Sequence, residues 1–118
     1  NMRDNDVRRL YADGFPEPLT PSSVRTVDAL IEELKRFRKL GYSIDKEQVS
    51  EGMRCYGKTV LDSQNMPLAA LAVSIPAENM STAEEKQILS TLEAMAEKIS
   101  RRMGADIRLI NHSKQART

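Results

Sequence analysis

The sequence predicts an α+β domain built on an antiparallel sheet, whose central hairpin over residues 53–75 is flanked by helices. Two extended segments within the hairpin are separated by turn-forming residues from Asp62 to Met66, as expected of a β-hairpin. Apolar residues recur at helical spacing over about 27–40 and about 82–103, which is typical of amphipathic helices. Strands covered by such helices predict a mixed fold with one small core.

Two helices are predicted before the hairpin. Residues 4–12 favour a short first helix, because acidic side chains in its first turn complement the helix dipole. Three prolines between residues 16 and 21 make the following connection irregular. The second helix, about 27–40, is predicted to begin after the capping residue Thr26 and to end at Gly41.

A short extended segment and a long helix complete the pattern. Residues 42–44 are predicted to be extended, and the polar residues 45–52 to form a loop or a helical turn. Ser81 and Glu84 form a capping-box pattern at the head of the long helix, about 82–103. The predicted core-facing stripe of this helix consists of Ile88, Leu92, Met95, Ile99 and Met103.

Composition limits the class of protein. The chain has 118 residues with 18 Lys+Arg against 17 Asp+Glu, which indicates one small domain and excludes a strongly basic nucleic-acid-binding module. A single cysteine, Cys55, excludes an intramolecular disulfide framework and a cysteine-based zinc site. A lone thiol is typical of a reducing compartment. With no apolar run near the ~20 residues that span a bilayer, the sequence predicts a cytoplasmic protein without membrane contact.

The two faces of the hairpin differ in side-chain size. If Leu61 pairs with Leu68 across the turn, Cys55 lies opposite Ser74, since side chains alternate along a strand. The small, mildly polar face carries Met53, Cys55, Gly57, Thr59, Ala70, Ala72 and Ser74. The large apolar face carries Val60, Leu71, Val73 and Ile75. We expect helices on the large face, and on the small face either a ligand, with Asp45 at the rim, or packing from further polypeptide.

The residues favour no catalytic centre. The one histidine, His112, falls in a polar C-terminal stretch, and Cys55 has no histidine nearby in sequence to activate its thiol. Phosphate-binding loops, metalloprotease motifs and nucleophile elbows do not occur in the sequence. The sequence therefore predicts neither an enzyme, nor a metal, nor a cofactor; an enzyme using Cys55 and Asp45 is the weakest alternative.

Three stretches carry a family pattern: Gly41–Gln48 after the second helix, Gly52–Cys55 at the start of the hairpin, and Ala69–Pro76 at its end. The spaced positions that fit it are Gly41, Asp45, Cys55, Gly57, Val60 and Asp62. Over about residues 6–104, the chain resembles the C-terminal effector-binding domain of IclR-type bacterial transcriptional regulators. Gln48 departs from the pattern, because a glutamate is usual at that position.

The resemblance implies a cytoplasmic sensor that binds a small metabolite, an organic acid or a sugar-acid derivative, to control transcription. It implies ligand contacts from Asp45, Met53, Cys55, Ala72 and Ser74, and four of these five lie on the small face of the hairpin. Ala72 departs from the family, where a serine is common, and the lost hydroxyl suggests a different or a less polar ligand.

The resemblance also implies a domain organisation. Residues 1–104 match the C-terminal part of an effector-binding domain, and 105–118 are predicted to be a polar tail. The family's helix-turn-helix and the first half of its sensor domain are not in the sequence, so we expect no direct DNA binding by this chain. A homo-oligomer, either a dimer or a tetramer, is expected. The alternative is an oligomerisation or interaction fragment without a complete ligand site of its own.

Overall fold

Three helices and a three-stranded antiparallel sheet form the α+β fold of the computed structural model, which describes residues 1–108. The strand order is β1-β2-β3. The elements are α1 (Asp4–Leu10), α2 (Val27–Leu40), β1 (Ser43–Lys46), β2 (Met53–Leu61), β3 (Pro67–Pro76) and α3 (Thr82–Arg102). The predicted fold class is confirmed, and every helix and strand end lies within two residues of the predicted one.

The loop predicted over 45–52 is partly wrong. Asp45 and Lys46 belong to β1, which runs from Ser43 to Lys46. The Glu47 N–H still donates to the Met53 carbonyl at 3.1 Å, so chain pairing persists to the end of β1. Only the second half of this strand was missed, because Asp45 and Lys46 are charged and Ile44 is the one apolar residue of β1.

The chain divides into two compact units. Unit 1 comprises 1–55 and 74–79, and the described residues of unit 2 are 56–73 and 80–108. In unit 1, α1 and α2 bury Val7 and Ile31. The Thr26 hydroxyl accepts the Ala29 N–H at 3.1 Å, as an N-cap does.

Helix α2 ends at Gly41, as predicted, and an ion pair joins it to α1. Gly41 adopts a left-handed φ of 84°, which is the conformation that closes a helix and favours glycine. Arg8 on α1 pairs with Asp28 on α2 at 2.7 Å. Such an exposed ion pair orients the two helices with little contribution to stability.

Unit 2 is built around Tyr56, whose side chain is fully buried at 0% exposure. Its hydroxyl donates to the Glu85 carboxylate in the first turns of α3 at 2.7 Å. Farther along β2, Lys58 reaches Glu93 of α3 at 3.7 Å. At the end of the strand, the Leu61 N–H donates to the Ser100 hydroxyl at 3.0 Å. These contacts fix α3 along β2.

The predicted core stripe of α3 is wrong over its second half. Leu92, Ala96 and Ser100 are the buried residues of α3, at intervals of four. Small residues at 96 and 100 let the helix approach β2 closely, and the Ser100 hydroxyl is satisfied by donating to the Ala96 carbonyl at 2.8 Å. The predicted residues left exposed are Met95 and Ile99 on this helix and Met103 at its C-cap.

The residues that follow α3 pack against the β2–β3 turn and the end of α3, within unit 2. Gly104 has a φ of 91°, and a Cβ added there would meet the Ser63 Cβ at 2.9 Å. Ala105 is buried and its N–H donates to the Ser100 carbonyl, while the Asp106 N–H donates to the Asn65 side chain at 3.1 Å. The remaining predicted tail, 109–118 with His112, lies outside the described residues.

Candidate functional site

A thiol and a hydroxyl meet on the small face of the sheet, within unit 1. Cys55 Sγ lies 3.0 Å from Ser74 Oγ, and either group can donate the hydrogen bond between them. Cys55 is half-buried and Ser74 is exposed. The contact confirms that the two residues are cross-strand neighbours on one face, as the predicted pairing of β2 and β3 requires.

Burial along both strands agrees with this register. On β2, Tyr56 and Val60 are buried, and alternation therefore directs Cys55 to the other side. On β3, Leu71 and Val73 are half-buried whereas Ser74 is exposed. The large aliphatic side chains thus face α3 in unit 2, as predicted, and the small side chains face outward.

Asp45 is held by the loop that follows it. The carboxylate Oδ1 accepts the Gln48 N–H at 2.7 Å, the short-range bond by which an aspartate stabilises a turn. The Gln48 side-chain amide in turn donates to the Glu33 carboxylate of α2 at 3.0 Å. Asp45 is half-buried, and its orientation is set by backbone contacts that lie in unit 1.

Two hydroxyls anchor the same loop from a distant part of the chain. Thr20 donates to the Glu47 carbonyl and Ser23 donates to the Gln48 carbonyl, both at 2.5 Å. The Ser23 hydroxyl also accepts the Thr20 N–H at 3.0 Å. Thr20 is buried although its side chain is polar, and no role was predicted for either hydroxyl from the sequence. The sequence feature that could have indicated their role is the pair of hydroxyl residues three positions apart, Thr20 and Ser23, among prolines. This pattern is typical of a turn stabilised by side chains.

The other two predicted contact residues have different positions. Met53 begins β2 in unit 1, is half-buried, and shares the parity of Cys55 along the strand. Ala72 belongs to unit 2, is exposed, and lies two residues before Ser74 on β3. The structure therefore brings Cys55 and Ser74 into contact, places Asp45 and Met53 in the same unit, and puts Ala72 on the same side of β3 as Ser74.

The cationic side chains of β2 lie on the opposite side of the strand from Cys55. By alternation, Arg54 and Lys58 share the side of Tyr56, and Lys58 is engaged with Glu93. Among residues 1–108, no group of three or more histidine, cysteine or acidic side chains is arranged to hold a metal ion. The chemistry available at Cys55 and Ser74 is hydrogen bonding by small neutral groups.

Across residues 1–108, no helix combines the length and the apolar character needed to cross a bilayer.

The fold is an α+β domain whose antiparallel sheet presents a face of small, hydrogen-bonding side chains. The family profile described as "Bacterial transcriptional regulator IclR C-terminal" matches residues 3–101. The chain therefore belongs to the IclR family of bacterial transcriptional regulators, through its C-terminal domain.

Individual relatives agree with this assignment. The HTH-type transcriptional regulator KdgR of Escherichia coli is 30% identical over 103 residues, which are 86% of this chain and 39% of KdgR. The crystal structure of the Agobacterium tumefaciens repressor BlcR superposes with a TM-score of 0.82 at 33% identity, covering 88% of this chain and 42% of that one. The isolated C-terminal domain of E. coli KdgR gives a TM-score of 0.82 at 27% identity, covering 88% of this chain and 63% of that domain.

The match covers only part of each relative. The chain spans about two fifths of the length of the regulator KdgR and under two thirds of the KdgR domain that was solved alone. The relatives are transcriptional regulators and not enzymes, in agreement with the prediction from the sequence.

Proposed function

We propose that this chain is the ligand-sensing and oligomerising portion of an IclR-type regulator, acting in the cytoplasm. Residues 1–104 serve as the C-terminal part of an effector-binding domain. The observation that carries the proposal is the Cys55–Ser74 contact at 3.0 Å on the small face of the sheet. A solvent-accessible thiol–hydroxyl pair beside small side chains offers both a donor and an acceptor to a bound molecule.

The ligand class follows from the groups at the site. The effector is a small metabolite, an organic acid or a sugar-acid-like molecule, contacted by Asp45, Met53, Cys55, Ala72 and Ser74. None of these side chains is a cation, and Asp45 repels a carboxylate placed beside it. We therefore expect the hydroxyl or carbonyl groups of the metabolite, and not its carboxylate, to lie against Cys55 and Ser74.

A binding screen with matched variants tests this function. The wild-type chain is heated with a panel of short hydroxy acids, oxo acids and sugar acids, and the shift in Tm is measured, since a ligand specific to the folded state raises it. Ser74→Leu fills the space beside Cys55, and Ser90→Leu places the same side chain on an exposed position of α3.

The outcome depends on which variant loses the shift. We expect a compound that raises the Tm of wild type and of Ser90→Leu but not that of Ser74→Leu, while all three give the same circular dichroism spectrum. The proposal is wrong if no compound in these classes raises the Tm, or if Ser74→Leu responds as wild type does.

A second candidate function is an oligomerisation or interaction module without a complete ligand site of its own. The observation that favours it is the exposed stripe Met95, Ile99 and Met103 on α3. Contiguous exposed apolar side chains are typical of interaction sites, whereas single scattered ones are common on any protein surface. A chain that self-associates and is inert to the whole metabolite panel would support this second function.

A further inference from the structure

One residue between β1 and β2 has a backbone conformation that its residue type disfavours. Glu47 directly follows β1 and adopts a left-handed φ of 59°. Among residues 1–108, the other residues with a positive φ are glycines and two asparagines, Asn65 and Asn79, and both residue types tolerate this region. Glutamate does not share that tolerance, so the surrounding structure must hold Glu47 in this conformation.

Two of the bonds that hold Glu47 come from the start of β2. The Glu47 N–H donates to the Met53 carbonyl at 3.1 Å, and the Glu47 carboxylate accepts the Gly52 N–H at 2.7 Å. These bonds act on the N–H and the side chain of Glu47. They leave its carbonyl, and so the peptide group that follows, to be held by another part of the chain.

That part is a turn near the prolines. Within the turn, the Ser23 hydroxyl accepts the Thr20 N–H at 3.0 Å, and the Thr20 hydroxyl accepts the Ser22 N–H at 3.1 Å. A hydroxyl has one hydrogen to donate, and both hydrogens are directed to the loop after β1. Thr20 donates to the Glu47 carbonyl at 2.5 Å. Ser23 donates to the Gln48 carbonyl at 2.5 Å.

A single peptide group joins Thr20 to Asp45. The Glu47 carbonyl and the Gln48 N–H belong to one planar unit. Thr20 bonds to the carbonyl end of this unit. Asp45 Oδ1 accepts the N–H at the other end, at 2.7 Å. A rotation of the peptide that breaks one bond therefore breaks the other, and the orientation of the Asp45 carboxylate depends on a hydroxyl far upstream in the chain.

We propose that Thr20 and Ser23 are positioning residues for the ligand site: they hold the Glu47–Gln48 peptide in place, and this peptide orients the Asp45 carboxylate. The inference rests on the proposed function, which gives Asp45 its contact with the metabolite. Without the Thr20 hydroxyl, Glu47 relaxes toward an ordinary negative φ and the peptide turns. Asp45 then loses the N–H that orients it, and binding weakens although both strands remain formed.

Amide hydrogen exchange on the whole 118-residue chain tests the position of this peptide. The Gln48 N–H is the reporter, because its bond to Asp45 forms only when the peptide is correctly oriented. Thr20→Val keeps the shape of the side chain and removes the hydroxyl. We expect this variant to speed exchange at Gln48 at least about fivefold. Thr20→Ser retains the hydroxyl and should exchange as wild type does.

Ser100→Ala is the matched control. It removes a buried hydroxyl that also bonds to backbone groups, and its partners, Leu61 and Ala96, lie in unit 2. We expect Ser100→Ala to unfold at lower urea concentration than wild type. Because a half-buried loop amide exchanges through local opening, exchange at Gln48 should stay unchanged in this control. A hydroxyl that serves only general stability would thus leave the reporter unmoved.

Ligand binding is then compared in the same variants. The panel of short hydroxy acids, oxo acids and sugar acids is run as Tm shifts on Thr20→Val, Thr20→Ser and Ser100→Ala. We expect Thr20→Val to bind a panel compound at least about fivefold more weakly than wild type. The other two variants should bind it as wild type does. Ser23→Ala, at a half-buried position, replaces Thr20→Val if that variant fails to fold.

Three results would overturn the inference. The first is exchange at Gln48 that neither Thr20→Val nor Ser23→Ala speeds up. The second is a Thr20→Ser variant that exchanges as fast as Thr20→Val. The third is faster exchange together with unchanged binding of a panel compound. If no compound binds wild type, the sensing proposal fails by itself, and exchange at Gln48 still decides whether Thr20 positions the Asp45 carboxylate.

Discussion

Removing one hydroxyl tests how α3 is held to the sheet. Tyr56 is fully buried, and its hydroxyl donates to the Glu85 carboxylate at 2.7 Å. Tyr56→Phe keeps the ring and deletes this bond, leaving a half-buried carboxylate that has lost one donor. A hydrogen bond to a charged group contributes about 1.5–3 kcal/mol. For a domain of this size we expect Tm to fall by about 4 °C per kcal/mol, or about 6–12 °C.

The assay is urea and thermal unfolding followed by circular dichroism, with Tyr11→Phe as the control. Tyr11 lies in unit 1 and is half-buried, with its ring 4.9 Å from the Phe15 ring. Deleting its hydroxyl is expected to change the free energy of unfolding by less than about 0.5 kcal/mol. If Tyr56→Phe is as stable as Tyr11→Phe, the bond to Glu85 does not stabilise unit 2 and the reasoning is refuted.

Three further predictions concern folding, pH and DNA. Val73→Asp is expected to destabilise the chain by about 1–3 kcal/mol in urea unfolding, whereas Ser74→Leu folds normally; the reverse order would contradict the assigned faces. The Ser81 backbone N–H lowers the pKa of Glu84, so the capping box stabilises above the ordinary glutamate pKa. That stability is lost as pH falls through the lowered pKa, and Glu84→Gln should flatten the acid limb of a Tm–pH curve; an unchanged limb would contradict it. Gel-shift assays at physiological salt should detect no sequence-specific DNA binding by this chain, whose net charge is +1; tight operator binding would contradict it.

The features that sequence predicted well are those fixed by local chemistry. Thr26 caps α2, and Ser81 with Glu84 forms the capping box of α3, since both patterns act over three residues. The faces of the hairpin followed from the period of two along a strand, and the Cys55–Ser74 contact confirms them. The ligand contacts themselves remain a prediction.

The errors arose where distant parts of the chain decide the structure. Counting apolar residues on α3 selected Met95 and Ile99, yet the helix buries Ala96 and Ser100, because small residues allow the closest approach to β2. Periodicity of hydrophobicity cannot identify a face that packs through a hydroxyl and a methyl group. The bond from Thr20 to the Glu47 carbonyl was likewise invisible, because it joins residues far apart in sequence.

The loop after β1 has a further property that follows from how it is anchored. Thr20 and Ser23 hold the carbonyls of Glu47 and Gln48 through neutral hydroxyl groups. Dissolved ions screen charge–charge attraction but have little effect on such short neutral bonds. The loop that holds Asp45 should therefore keep its position when the ionic strength of the solution changes.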